Sequence, residues 1–126
     1  MSHFTKIKTE FKESDILIDV LKDLNYNVEE RASTIRGYQG NQVNVDFKVT
    51  LKYSYPIGFV KQKDGKIEII ADWWGVKGIK KEVFVSSLKQ NYSVKLIMRE
   101  MSKKGYKIVE QNEQKDKSIK IVVRSW

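Results

Sequence analysis

A chain of 126 residues with 40% apolar and 32% charged side chains can bury one core and is too apolar to stay disordered. It has no cysteine and a single histidine, His3, which excludes disulfides, thiolate sites and His-rich metal sites; no apolar run nears the roughly 20 residues that span a membrane. The net charge of +8 lies entirely in the second half, since residues 1–60 carry eight basic and eight acidic side chains and residues 61–126 carry sixteen and eight.

A first strand is predicted over Phe4–Phe11, with Ile7, Thr9 and Phe11 on one side. A helix follows, capped by Ser14, with Asp15 in its first turn and Ile16, Leu17, Val20, Leu21 and Leu24 as its apolar stripe. Asn25 suits a left-handed stop. A strand over Tyr26–Ser33 leads into Arg36-Gly37-Tyr38-Gln39-Gly40, a turn with two glycines. Val43, Val45, Phe47, Val49, Leu51 and Tyr53 then alternate with polar residues without error, the pattern of one half-buried antiparallel strand ended by Pro56. Ile57–Gln62 and Lys66–Trp74 read as a hairpin around Asp64-Gly65 in a type I′ turn. After Gly75-Val76-Lys77-Gly78, residues 81–104 read as a second helix, open to a break near Asn91 and ended by Gly105. Strands at Tyr106–Gln111 and Ser118–Trp126, joined by the polar loop Asn112–Lys117, close the chain.

The order strand–helix–strand–strand occurs twice, over 1–60 and 61–126, which suggests a duplicated unit within a single domain of residues 1–126. The fold class is α+β: a largely antiparallel sheet with two main helices on one face.

Several features belong together: the start Met1-Ser2-His3-Phe4, the turn Arg36–Gly40, the helix exit Lys104-Gly105-Tyr106 and the close Arg124-Ser125-Trp126. In that order they resemble the hypothetical chloroplast reading frame thirty-five family, small proteins of plastids and cyanobacteria. The resemblance covers the whole chain and implies a plastid location, soluble in the stroma, with no assigned reaction. Many members place a histidine where this chain has Lys95, so a role for that histidine does not transfer. The N-terminus has neither a signal-peptide core nor a transit pattern, so the mature chain is expected to begin here, where it was translated. Lys outnumbers Arg, and Ala occurs only at Ala32 and Ala71, a bias typical of AT-rich genomes such as those of organelles.

Among candidate sites the turn Arg36, Gly37, Tyr38, Gln39 and Gly40 stands first, because function favours loops on a rigid scaffold. Arg36 offers a planar fork to carboxylate or phosphate, and Tyr38 and Gln39 add stacking and amide hydrogen bonds. The plainer reading is a hairpin or bulge in which the glycines supply left-handed geometry and Tyr38 packs down. A second candidate, for an anion, is Gly75, Lys77, Gly78, Lys80 and Lys81, where free helix-start amides meet lysines; a basic strand-to-helix connection is the reading favoured over it, a lone short glycine motif being weak. Lys89, Lys95, Arg99 and Lys103 form a basic face on the second helix, either an electrostatic footprint or a solvated surface. Of Trp73 and Trp74 one is expected in the core and the other under a loop or in an interface, with Asp72 accepting from an indole or a turn amide.

No cofactor, metal or catalytic constellation is expected. The reading placed first is a non-catalytic protein that binds another plastid protein as an adaptor or assembly subunit, through the Arg36–Gly40 turn and one tryptophan. Nucleic acid or an anionic surface meeting the basic second half comes next, and a small-ligand binder or enzyme with a pocket near Arg36 or His3 follows.

Overall fold

The structure, a computed structural model, describes residues 3–114 and 118–125. In chain order the elements are β1 (Thr5–Lys8), α1 (Ser14–Asp23), β2 (Asn27–Glu29), β3 (Ser33–Arg36), β4 (Gln42–Val45), β5 (Phe47–Thr50), β6 (Ile57–Lys61), β7 (Ile67–Ala71), α2 (Lys81–Lys103), β8 (Tyr106–Glu113) and β9 (Ile119–Ser125). Short 3-10 turns occupy Tyr38–Gly40 and Trp73–Gly75. Five strands make one antiparallel sheet in the order β1-β7-β6-β5-β2, while β3–β4 and β8–β9 are two-stranded ribbons. The fold is α+β, as the alternating and helical periods predict.

Both helices cover one face of the sheet. Ile16, Leu17, Val20 and Leu21 of α1 and Phe84, Leu88 and Tyr92 of α2 pack on Phe47, Val49, Ile57, Phe59, Ile67, Ile69 and Ala71. Phe47 and Phe59 face each other across β5 and β6 with ring centroids 4.8 Å apart. Full burial of a side chain such as Phe59 stabilises by about 1.5–3 kcal/mol. The Tyr92 hydroxyl accepts the backbone N–H groups of Lys12 (3.2 Å) and Glu13 (3.0 Å), fixing the entry to α1 from α2. With the entry held this way, Glu13 takes the N-cap position without a side-chain cap bond, and Ser14 is the first helical residue instead of the cap. Asn25 (φ 67) and Gly105 (φ 83) stop the helices in left-handed geometry as expected. α2 runs unbroken through Asn91, whose side-chain amide donates to the Ser87 carbonyl one turn back (2.8 Å).

The two long strands predicted around the glycine turn each divide. Tyr26–Ser33 becomes β2 and β3 with exposed Glu30–Ala32 between them, and the strand expected to Tyr53 becomes β4 and β5, separated by Asp46. Register shows three residues (30–32) facing two (46–47) between the pairs Ser33↔Val45 and Glu29↔Lys48, a bulge that sharpens the twist. Asp46 holds the bend, donating its N–H to Phe59 O (2.9 Å) and accepting the Lys61 N–H on its carboxylate (2.7 Å). The hairpin's inner half joins the sheet. Its outer half folds over the opposite face, where Ile35, Val45 and Ile70 form a second small core. Gly58 permits this: a Cβ there would lie 2.4 Å from Val45 Cγ1. Period two therefore predicted which residues are apolar-facing, but the apolar residues of one run serve two cores. β5 ends at Thr50, and Tyr53 sits in left-handed geometry (φ 57) at 88% exposure instead of facing the core.

The β6–β7 hairpin closes through three residues, Lys63–Gly65, bracketed by the Gln62 N–H to Lys66 O bond (2.8 Å). Only Gly65 takes positive φ (87), while Asp64 accepts the Lys66 N–H on its carboxylate (2.9 Å), so the turn is not type I′. The repeated element order does not yield repeated architecture. β2 lies at one edge of the five-stranded sheet, whereas its counterpart β8 leaves that sheet and, among the described residues, pairs with β9 alone. β6, central between β7 and β5, has no counterpart in the expected repeat. The residues of the loop at 115–117 and the motif residues Met1, Ser2 and Trp126 lie outside the described residues.

Candidate functional site

The back-face hairpin brings the Arg36–Gly40 turn against the exit of β7. Asp72, the residue after β7, is 1% exposed and accepts the Tyr38 backbone N–H on its carboxylate (3.0 Å). That is the turn-amide role expected of Asp72. Gly37 packs directly on it, a Cβ there meeting Asp72 Cβ at 3.1 Å and Phe4 Cζ at 3.0 Å. Within the turn Gln39 (φ 55) and Gly40 (φ 74) take left-handed geometry, and the Gly37 N–H to Asn41 O bond (2.8 Å) closes it. Arg36 and Gln39 are exposed and Tyr38 is half-buried.

A third segment, which sequence reasoning placed in a strand and its terminator, completes the site. Tyr53, Ser54 and Tyr55 fold against the Trp73–Gly75 turn: Tyr55 N–H donates to Gly75 O (2.9 Å), and the Ser54 hydroxyl donates to the same carbonyl (3.3 Å) while accepting the Lys77 N–H (2.9 Å). The Tyr55 ring lies on the bare backbone of Gly75, where a Cβ would fall 2.1 Å from Cδ2. The aromatic clustering in Tyr53-Ser54-Tyr55 was the only signal available, and period two assigned its first member to the core.

Four aromatic rings and three cations result. Trp74 is 68% exposed, edge-on to Tyr38 at 6.0 Å and tilted to Tyr55 at 6.5 Å. The Arg36 guanidinium stands 5.4 Å over Tyr55, Lys77 Nζ 6.0 Å over Trp74 and Lys52 Nζ 5.4 Å over Tyr53. Among the described residues no carboxylate pairs with any of the three. Arg36, Tyr53, Ser54, Tyr55, Trp74 and Lys77, with Gly75, line an open cleft of about 290 Å³. Trp73 instead packs on the main core beside Phe84 (6.0 Å), so the two tryptophans divide as their sequence position suggests.

The other candidates are arranged differently. Of the second group only Gly75 and Lys77 reach the cleft; Gly78 (φ 75) turns the chain, and Lys80 and Lys81 begin α2. On α2, Lys95 pairs with Asp23 (2.7 Å), Arg99 with Asp15 (2.6 Å) and Glu13 (3.9 Å), and Lys103 with Glu100 (3.9 Å), while Lys89 is exposed. Burial by itself would raise the Asp15 carboxyl, but the Arg99 hydrogen bond and charge, with the Ile16 amide, outweigh it and hold it below its ordinary value. Half of the basic face, Lys95 and Arg99, thus answers α1, the acidic helix beside it. His3 is exposed.

Fold and site define an α+β domain that carries an exposed cation–aromatic patch on the loops at one end of a three-layered core. The chain belongs to the family described as protein of unknown function (DUF1257), which it matches over residues 20–122. It is 32% identical over 128 residues to the uncharacterized protein ycf35 of Cyanophora paradoxa and 34% over 132 residues to that of Pyropia yezoensis, in each case over 100% of this chain and 98% of the relative. The ycf35 protein of Guillardia theta is 28% identical over 132 residues. These relatives are plastid-encoded, and the resemblance to the chloroplast reading frame family holds. No solved structure matches. Among the described residues no helix is long and apolar enough to cross a membrane.

Proposed function

We propose that this protein is a non-catalytic binding protein of the plastid stroma, an adaptor or assembly subunit that docks another plastid protein through the patch around Arg36, Tyr38 and Trp74. The observation that carries this reading is the exposed Trp74, framed by Tyr38, Tyr55, Arg36 and Lys77 on loops fixed by the Asp72 and Gly75 contacts. Trp, Tyr and Arg dominate the energetics of protein interfaces, because the rings bury a large area with few rotamers to freeze and Arg adds a planar fork of charged donors. Rigid presentation also lowers the entropy lost on binding.

The competing electrostatic reading drew on the basic second half, yet three of the four cations on the α2 face already have carboxylate partners. A ligand pocket joining Arg36, Tyr38 and Asp72 would need Asp72 in its wall, and Asp72 lies beneath the turn with 1% exposure. The test is affinity capture from plastid extract with immobilised full-length wild type, Trp74→Ala, and Arg36→Ala combined with Tyr38→Ala, each quantified by mass spectrometry. Partners retained by wild type and lost by both variants are expected. Identical recovery by all three baits would sink the reading.

A further inference from the structure

We infer that the patch takes an acidic stretch of its partner protein, with a carboxylate seated in the cleft between Arg36 and Lys77. This rests on the proposed docking role and specifies its chemistry. The cations of the patch differ from Lys95 and Arg99 of α2 in one physical respect. Lys95 and Arg99 are already neutralised by carboxylates of α1, so an incoming anion would have to displace an existing pair. Arg36, Lys52 and Lys77 rest over neutral rings instead. A ring quadrupole orients a cation while leaving its net charge uncompensated, so an added carboxylate meets the full charge with no pair to break.

The same geometry argues against nucleic acid. Sequence-tolerant binding of single strands needs aromatic faces open for bases to stack on. Here one face each of Tyr53, Tyr55 and Trp74 already carries a cation, and the edge contact with Tyr38 further crowds Trp74. What the open cleft presents to an entering side chain is therefore the two cations on its walls, Arg36 and Lys77. The Ser54 hydroxyl is committed to the Tyr55 and Gly75 carbonyls and the Lys77 N–H, so the anion is held by the two cationic side chains. Arg36 supplies a planar fork for the two carboxylate oxygens, and Lys77 supplies a point charge across the cleft.

A zero-length carbodiimide, which condenses a carboxylate with an amine in contact and releases water to its urea by-product, tests this directly. The full chain captures its partner from nuclease-treated plastid extract, is cross-linked, and the joined peptides are read by mass spectrometry. The expected result is an amide between Lys77 Nζ and an Asp or Glu of the captured protein. Lys77→Arg should keep the capture and lose that cross-link, and Arg36→Gln with Lys77→Gln should weaken capture about thirtyfold or more, the scale of one interface hot spot. Capture that depends on Trp74 but never cross-links through Lys77 would overturn the acidic assignment and leave the docking role standing. Capture abolished by nuclease, or a Lys77 cross-link only to a second copy of this chain, would overturn it as well. Absence of any Trp74-dependent capture would remove the docking role itself. Substitutions at Arg36 and Lys77 should shift the urea midpoint only slightly, through the lost contacts with Tyr55 and Trp74, and leave the unfolding slope unchanged, which separates lost binding from lost folding.

Discussion

Replacement of Gly75 by Ala tests whether the patch is built by close backbone contact. The new Cβ would lie 2.1, 2.2 and 2.6 Å from Cδ2, Cε2 and Cγ of Tyr55. All three atoms belong to one rigid ring whose own backbone N–H is tied to Gly75 O at 2.9 Å, so the ring must swing away as a unit. Overpacking of this kind costs about 1–3 kcal/mol, and the displaced ring also loses its contacts with Trp74 and the Arg36 guanidinium. A loss of about 2 kcal/mol is expected, or roughly 8 °C in Tm at about 4 °C per kcal/mol for a domain of this size. The assay is urea unfolding followed by tryptophan fluorescence, run as a double-mutant cycle with Tyr55→Ala. Removing the ring removes the clash, so Gly75→Ala should cost about 0.5 kcal/mol or less in that background, a coupling of about 1.5 kcal/mol. Equal cost in both backgrounds would refute the steric reasoning.

Three further expectations concern the contacts that hold the layers together. Asp72→Ala should leave the Tyr38 amide without its carboxylate and cost about 2 kcal/mol, whereas Asp72→Asn keeps an acceptor and costs less; amide exchange at Tyr38 should accelerate most in the alanine variant. Tyr92→Phe removes the acceptor shared by the Lys12 and Glu13 amides and should lower stability by about 1–2 kcal/mol in urea titrations without changing the slope. The Asp15 carboxyl sits below its ordinary value of 3.8 in the folded protein, so its pairing contributes stability that is complete above about pH 4 and is lost as pH falls through the folded-state value. The gap between wild type and Arg99→Gln, about 0.5 kcal/mol for so exposed a pair, should therefore close on acidification; a gap that is constant from pH 6 to pH 2.5 would contradict it.

Sequence periodicity located both helices, their left-handed stops at Asn25 and Gly105, and the apolar set of the central strands, because these follow from local geometry. It also marked the Arg36–Gly40 turn and the Gly75–Gly78 loop as separate candidates. Their meeting was not legible, since it depends on a hairpin that bends at Asp46 and on Gly58 admitting Val45 onto the back of the sheet. A period-two pattern reads the same whether its apolar residues face one core or two, which is why the strand through Val43–Tyr53 divided and Tyr53 emerged at the surface. The placement of the basic residues was equally ambiguous. Charge counts cannot see that Lys95 and Arg99 lie beside acidic α1 while Arg36, Lys52 and Lys77 lie over rings. By itself, then, the sequence determined the class of fold, the family and which loops carry unusual residues. Tertiary structure alone decided which of those loops share a surface and which cations have no carboxylate partner among the described residues, because pairing across the chain depends on distance in space, which local patterns do not encode.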